Sequence, residues 1–592
     1  MATSTGTRTS SQLPTPNFQF PNASLSTGGW KWNVGSWEFG IIGACVAFTV
    51  FIAVVPLAFL LWQSFRTPQT AEIEAVFTLA NYATAYGSRE TLGLLWTSMQ
   101  FAAGTSVFAF LLGTALAWMN ERTNTPFKSV FFALSLIPLV IPSILFAVAW
   151  ILLASPQIGV VNLVLERWLG SPLFNIYSVG GMVWVDGLHY SPMAFLLMSA
   201  AFRAMDPSLE ESATMSGANI WQVARRVTLP LTVPASIATI LLLFVRAIES
   251  FEVPALLGLP AGIVVFTAAI YQAVHRYPSQ IGLASAYGVA LLLITAGGVY
   301  LVTRFSGQGS RYATITGKGF RPRQMDLGAW RWLTAAIFIV YFLLIVILPF
   351  AVLLWSSFQR FYAVPSMEAL HNVTLEPYRF ILSYPNLSRT VLNSVMLSFS
   401  SATVVMLVSS VICWIVVKTT LPGRWLLDGI ASLPMVFPGL VLGLSIMIFY
   451  LNVDVGIYGT IWIMLIAYVT RFMPYGLRYS TTSMLQIHRE LEESAAMSGA
   501  SWGTTFRRVI LPLLKPGLLA GWIYVMIVSV RELSTAILLY SPDTQVISVV
   551  IWELWENGQY VELSALGVLF ILMLFVLVLA AQAVGRRYGI QD

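Results

Sequence analysis

The sequence predicts an all-α integral membrane protein of about twelve transmembrane helices, arranged as two parallel six-helix repeats. Three observations predict it. Of 592 residues, 57% are hydrophobic and 10% charged, and the mean hydropathy is +0.77; soluble domains carry about 25% charged residues. Several apolar stretches exceed the ~18 residues that a helix needs to cross a bilayer. The second half of the chain repeats the first. Together these exclude a soluble enzyme, a nucleic-acid-binding module and a disordered chain. A β-barrel would show alternating segments of roughly 10 residues instead.

The expected spans are 41–62, 92–118, 130–153, 181–202, 237–257 and 284–303 in the first half, and 332–355, 390–417, 429–450, 457–479, 518–540 and 563–583 in the second. Residues 1–40, rich in Ser, Thr, Pro, Asn and Gly, read as a flexible cytoplasmic tail without the basic-then-apolar order of a signal peptide. The chain then divides into a first half (41–303), a basic linker (304–331), a second half (332–583) and a short cytoplasmic tail (584–592). The formal net charge is +6. In a membrane protein such a balance reports Lys and Arg kept on the cytoplasmic side. The linker carries Arg304, Arg311, Lys318, Arg321, Arg323 and Arg331, whereas segment 541–562 has Asp543, Glu553, Glu556 and Glu562 and no Lys or Arg. Both termini are therefore expected in the cytoplasm.

The repeat is closest in a polar loop. Leu209-Glu-Glu-Ser-Ala-Thr-Met-Ser-Gly-Ala218 matches Leu491-Glu-Glu-Ser-Ala-Ala-Met-Ser-Gly-Ala500, and Arg225-Arg-Val-Thr-Leu-Pro-Leu231 matches Arg507-Arg-Val-Ile-Leu-Pro-Leu513, at a constant offset of 282. Lipid-facing positions drift among Leu, Ile, Val and Phe at little cost; a loop that must fit a partner does not. Glu210 and Glu211 favour the start of a short helix, Gly217 can end it, and a second helical stretch should close before Leu229-Pro230. Pro138 and Pro142 match Pro434 and Pro438. These prolines should bend spans three and nine.

This loop resembles the signature of permeases of binding-protein-dependent ABC importers: Glu-Ala-Ala, Gly after three residues, then Ile-x-Leu-Pro after nine. Here Glu211, Ser212 and Ala213 precede Gly217 and then Leu229-Pro230; Glu493, Ser494 and Ala495 precede Gly499 and Leu511-Pro512. The departures, Ser for the first Ala and Val for Ile, recur in both copies. The resemblance implies a type I importer fold. Each loop, with Glu210 and Glu492 beside the motif, would be a coupling helix docked on one of two cytoplasmic ABC ATPase copies. An external substrate-binding protein, periplasmic or lipid-anchored, would deliver the substrate to a bacterial inner-membrane permease. The chain is then no enzyme and binds no cofactor: ATP and Mg fall to the partner. Gly317-Lys318 lacks the upstream glycine of a phosphate-binding loop. Membrane lipid is the other expected contact, and no nucleic acid is.

Ionisable groups within spans face a cavity or a partner by default. The candidates for the pathway are Asp186, His189, Glu249, Glu252, Arg471, Arg531 and Glu532, with Arg246 as a helical neighbour of Glu249. At the same offset His189 corresponds to Arg471 and Glu249 to Arg531, so a Glu249–Arg531 pair across the halves is one expectation and an Arg246–Glu249 pair within a helix another. No metal centre is expected: His189 stands alone, and Cys45 and Cys413 lie far apart in apolar runs. The fused layout, Glu249-Ser-Phe-Glu-Val-Pro-Ala-Leu-Leu257 and Arg531-Glu-Leu-Ser-Thr-Ala-Ile-Leu-Leu539 resemble the ferric-iron importer group. Relatives of similar layout move thiamine, polyamines or phosphonates. A carrier driven by an ion gradient is the alternative class.

Overall fold

The computed structural model describes residues 36–68, 74–171, 174–206, 208–306, 325–419 and 423–587. Most of the expected N-terminal tail, linker residues 307–324 with Gly317-Lys318, and the last residues of the C-terminal tail lie outside them. The chain divides into two units, Met1–Ala44 and Cys45–Asp592. The described part of the first is the opening of helix α1; everything below concerns the second.

The first half runs α1 (Ser36–Ser64), α2 (Ala80–Gly87), α3 (Arg89–Arg122), α4 (Lys128–Leu134), α5 (Ser143–Ala154), α6 (Val160–Leu169), α7 (Val179–Ala204), α8 (Ser208–Met215), α9 (Ile220–Val223), α10 (Leu229–Ile248), α11 (Phe266–His275) and α12 (Ile281–Ser306). The second runs α13 (Arg331–Phe342), α14 (Leu348–Ser357), α15 (Met367–His371), α16 (Glu376–Leu382), α17 (Leu387–Lys418), α18 (Arg424–Ser432), α19 (Gly439–Asn452), α20 (Ile461–Leu485), α21 (Arg489–Met497), α22 (Trp502–Thr505), α23 (Leu511–Val530), α24 (Ile547–Glu556) and α25 (Tyr560–Arg587). No named strand occurs among the described residues. Eight helices are long and apolar enough to cross a membrane, and three further pairs are bent at a break. The polar helices α7 and α20, 26 and 25 residues long, stand at the two remaining expected spans and reach about 38 Å at 1.5 Å per residue.

The halves repeat in their hydrogen bonds as well as in sequence. Ser64 Oγ meets Tyr82 Oη at 2.7 Å, and Ser357 Oγ meets Tyr378 Oη at 2.8 Å. The N–H of Phe266 donates to Ser98 Oγ at 3.1 Å, and that of Ile547 to Ser394 Oγ at 2.9 Å. The opening helices lean on the opposite half. Phe51 and Phe59 of α1 pack edge-on against Phe449 of α19 at 5.6 and 5.0 Å. Phe338 of α13 stacks on Phe131 of α4 at 4.7 Å, and α14 packs on α5.

Four expected spans are not straight. Spans three and nine break at Pro142 and Pro438, with bends of 98° and 108° between the two pieces. Proline lacks the donor that would continue the helix ladder. The carbonyls freed at the breaks are taken up inside the bundle: Arg531 donates to Leu139 O, and Thr295 Oγ1 to Val436 O at 2.8 Å. The expected spans 237–257 and 518–540 end early, at Ile248 and Val530. After each, the chain is held by a hydroxyl: Thr267 donates to Ser250 O and Ser548 to Glu532 O, both at 2.8 Å. Non-helical backbone at this depth persists only where such partners exist.

The expected stop before each Leu-Pro is also absent. Ala224–Thr228 and Phe506–Ile510 are π-turns that lead straight into α10 and α23. A third, Leu343–Ile347, precedes Leu348-Pro349 in the same way. The wider turn lets proline enter the first helical turn without colliding with the carbonyl behind it. The Leu-Pro pair thus continues the loop helix into the span.

Candidate functional site

The two signature loops are built alike. In α8 the N–H of Ala218 donates to Ala213 O at 3.1 Å and that of Gly217 to Thr214 O at 3.0 Å; in α21 Ala500 donates to Ala495 O at 3.1 Å and Gly499 to Ala496 O at 2.9 Å. This crossed pair of bonds is the Schellman turn. It requires a left-handed residue, and Gly217 and Gly499 have φ of +88° and +78°. Space around both glycines is open, so conformation selects glycine there. Ser212 and Ser494 donate to no partner helix and lie exposed, while Ala213 and Ala495 are half-buried. Met215 and Met497, at equivalent positions, are 90% and 81% exposed.

The motif glutamates divide the work. Glu211 is half-buried and Glu493 exposed. Glu210 is 5% exposed and pairs with Arg122 at 3.4 Å; it also accepts from Thr228 Oγ1 at 2.5 Å. Arg122 further donates to Phe202 O at 2.7 Å and Met205 O at 3.2 Å. One buried pair therefore ties α8 to the ends of α3 and α7 and the start of α10. In the second half Lys418, ending α17, pairs with Glu492 at 2.6 Å and donates to Ile487 O at 3.1 Å. Thr228 is replaced there by Ile510, in an apolar cluster with Cys413, Met484, Ile487 and Leu514. Leu229 and Pro230 are exposed, Leu511 half-buried and Pro512 exposed at the helix entries.

Sequence reasoning missed Arg122 and Lys418. Both are basic residues in the last turn of a long span, a detectable signal. They are 296 positions apart rather than 282, because α6 and its flanking loops lengthen the first half between α5 and α7.

The intramembrane charges collect where the helices break. The expected cross-pair is not formed: Glu249 pairs with Arg246 at 3.5 Å, three residues away in its own segment, and Arg531 turns to the Leu139 carbonyl. The helices end early beside Glu249 and Arg531; Glu249 then bonds within its own segment, while Arg531 reaches the break of span three. The pair across elements is Arg471 with Glu532, at 3.1 Å. Glu532 also accepts from the N–H and hydroxyl of Thr535, both at 3.0 Å, and Tyr468 donates to its carbonyl at 3.1 Å. Arg246 donates to Tyr475 Oη. Gly439 makes room for the Arg471 guanidinium, which a Cβ there would strike. A narrow cavity of about 40 Å³ lies among Arg246, Glu249, Phe437, Arg471, Tyr475 and Arg478, enough for one or two waters. Glu252 accepts from Ser534 Oγ at 3.2 Å. Asp186 is fully buried on α7 and His189 half-buried one turn on, its ring 5.4 Å from that of Phe146.

Helices broken at mid-depth, a polar seam between two repeats and a pair of protruding loops at one end define a transport component of the membrane. The chain belongs to the family described as binding-protein-dependent transport system inner membrane component, which matches residues 109–357 and 406–589. It is thus a multi-pass permease of an ABC transport system, a conducting component rather than a catalyst. The ferric transport system permease protein FbpB of Actinobacillus pleuropneumoniae is 24% identical over 554 residues, covering 91% of this chain and 77% of that protein. The Fe(3+)-transport system permease protein FbpB 2 of Haemophilus influenzae is 24% identical, covering 81% of this chain and 87% of that one. In a crystal structure of a bacterial ABC transporter involved in alginate import, one chain is 19% identical, covering 48% of this chain and 96% of that one, at a TM-score of 0.38.

Proposed function

We propose that this permease imports ferric iron, driven by two copies of a cytoplasmic ABC ATPase docked on α8 and α21. The observation that carries the reading is the pair of loops. Each is a short helix closed by a Schellman turn, tipped by an exposed methionine and tied by a glutamate to the ends of long spans. Exposed Met side chains are adaptable apolar contacts. A push on α8 passes through the Arg122–Glu210 pair to α3, α7 and α10 together.

Exposed Arg225, Arg226, Arg507 and Arg508 beside the loops support a cytoplasmic position for this end, for both termini and for the 304–331 linker. The opposite end then receives an external binding protein. A large cleft there, about 1330 Å³, lies between α2–α3 and α11–α12. ATP and Mg²⁺ are bound by the partner, and this chain supplies the path. Iron as substrate is supported by the ferric permeases to which the chain is similar, and by buried carboxylates near the axis.

The test is reconstitution of the permease with its ATPase and binding protein in liposomes. Radioactive iron loaded on the binding protein should enter only with ATP. Uptake driven by an ion gradient in the absence of ATP would establish a secondary carrier instead.

A further inference from the structure

The second half latches its span ten to the chain after span eleven by an Arg471–Glu532 pair, and the first half has no equivalent pair. Arg471 pairs with Glu532, Tyr468 donates to the Glu532 carbonyl, and Arg531 reaches Leu139 O. The repeat puts Asp186 where the second half has Tyr468, His189 where it has Arg471, and Ser250 where it has Glu532. The latch is therefore missing from the first half. Asp186 is 0% exposed, and neither of its carboxylate oxygens has a hydrogen-bond partner. It lies on α7 between Met182, whose sulfur sits beside Gly258, and Tyr190, which donates to Arg246 O at 3.2 Å, so α7 packs beside the stretch that carries Ser250 and Glu252. Glu252 is itself held at the meeting point of the halves by Ser534. The nearby Arg246 is committed to Glu249 and Tyr475.

An ionised carboxylate buried without a partner costs several kcal/mol. A second carboxylate, Glu252 on the stretch packed beside α7, adds repulsion that an intervening cation removes. We propose that Asp186 and Glu252 form a cation-binding step on the transport path, on the first-half side of the axis. It takes a small, hard, multivalent cation, for which carboxylate and hydroxyl oxygens are the preferred ligands. The inference rests on the reading that the cargo is a metal cation. Among the described residues no three His, Cys, Asp or Glu side chains converge to hold a metal ion. Two carboxylates with the hydroxyls of Ser250 and Ser534 make a transit point rather than a resident site. Conduction needs binding weak enough to release.

The test uses the complete reconstituted transporter and iron-loaded binding protein. The variants are Asp186→Asn, Glu252→Gln, their double and Asp186→Glu. Iron imported per ATP hydrolysed should fall about tenfold or more in each neutral variant, the scale of one lost charged contact. Asp186→Glu should recover most of it. A structural role would lower uptake and hydrolysis together and leave their ratio unchanged, and that result overturns the proposal. So does iron uptake by the double variant within twofold of the parent, which leaves the importer reading intact. If the parent protein carries only an uncharged or anionic solute, the iron reading and the cation site fall together.

Discussion

The Ser534 hydroxyl donates to the Glu252 carboxylate at 3.2 Å, and the two residues occupy equivalent positions of the two halves, 282 apart. Farther along, Trp552 Nε1 donates to Tyr271 Oη at 3.3 Å. Each is the sixth residue of its helix, α11 or α24, where the offset between the halves has become 281. A residue that touches its own symmetry mate lies on the two-fold axis, so these contacts mark the pseudo-two-fold axis directly. Phe251 packs on both aromatic rings, 5.2 Å from Tyr271 and 5.3 Å from Trp552, and closes the axis at the end away from α8. With Cys45 and Cys413 replaced by Ser, Tyr271→Cys and Trp552→Cys joined by a short bis-methanethiosulfonate linker, which forms a disulfide at each end, should stop transport, and reduction should restore it. Normal uptake by the cross-linked protein would mean that the path avoids this contact.

Charge exchange separates the two pairings of the buried seam. Arg471→Glu and Glu532→Arg should each abolish transport, and the double exchange should restore a measurable part of it, because the 3.1 Å pair is re-formed with reversed sign. Glu249→Arg with Arg531→Glu should restore nothing, since those side chains bond to Arg246 and to the Leu139 carbonyl. Uptake assays of the singles and doubles give the coupling as a double-mutant cycle.

The glycines of the loops make a prediction about order. A non-glycine residue in the left-handed region costs about 1–2 kcal/mol, and Asn tolerates it best. Gly217→Asn and Gly499→Asn should therefore transport better than Gly217→Ala and Gly499→Ala. If open space rather than φ set the requirement, the smaller alanine would win.

The two clamps should differ in strength. Arg122→Met leaves Glu210 buried without its charge partner; breaking a buried pair costs about 3–5 kcal/mol. Lys418→Met leaves Glu492, whose side chain is 17% exposed against 7% for Glu210, so water offsets more of the loss. Thermal unfolding in detergent should show the larger drop for Arg122→Met. Transport per ATP should fall in both variants, as each loosens a loop helix from its span.

Much of this was legible in the sequence. The repeat, the loop helices, their glycine turns and the charged residues of the seam all follow from residue type and spacing. What escaped was the course of the chain through the seam. The segments 237–257 and 518–540 are apolar enough to read as whole spans, yet the helices stop at Ile248 and Val530. The hydroxyls that hold the stopped backbone come from Thr267 and Ser548, beyond the break. Hydropathy does not see a break whose carbonyls are satisfied by another element.

By itself the sequence determined that the chain lives in a membrane, that it is two copies of one fold, and that the same polar loop emerges from each copy. These are matters of local composition and of a fixed offset, and they need no knowledge of what touches what. Only the tertiary structure decided the pairing of the charges. It sent Glu249 to Arg246 and Arg471 to Glu532, gave Glu210 and Glu492 to residues ending other spans, and left Asp186 without a partner. Ion pairs depend on distances of a few ångströms between segments hundreds of residues apart, and packing of broken helices sets those distances.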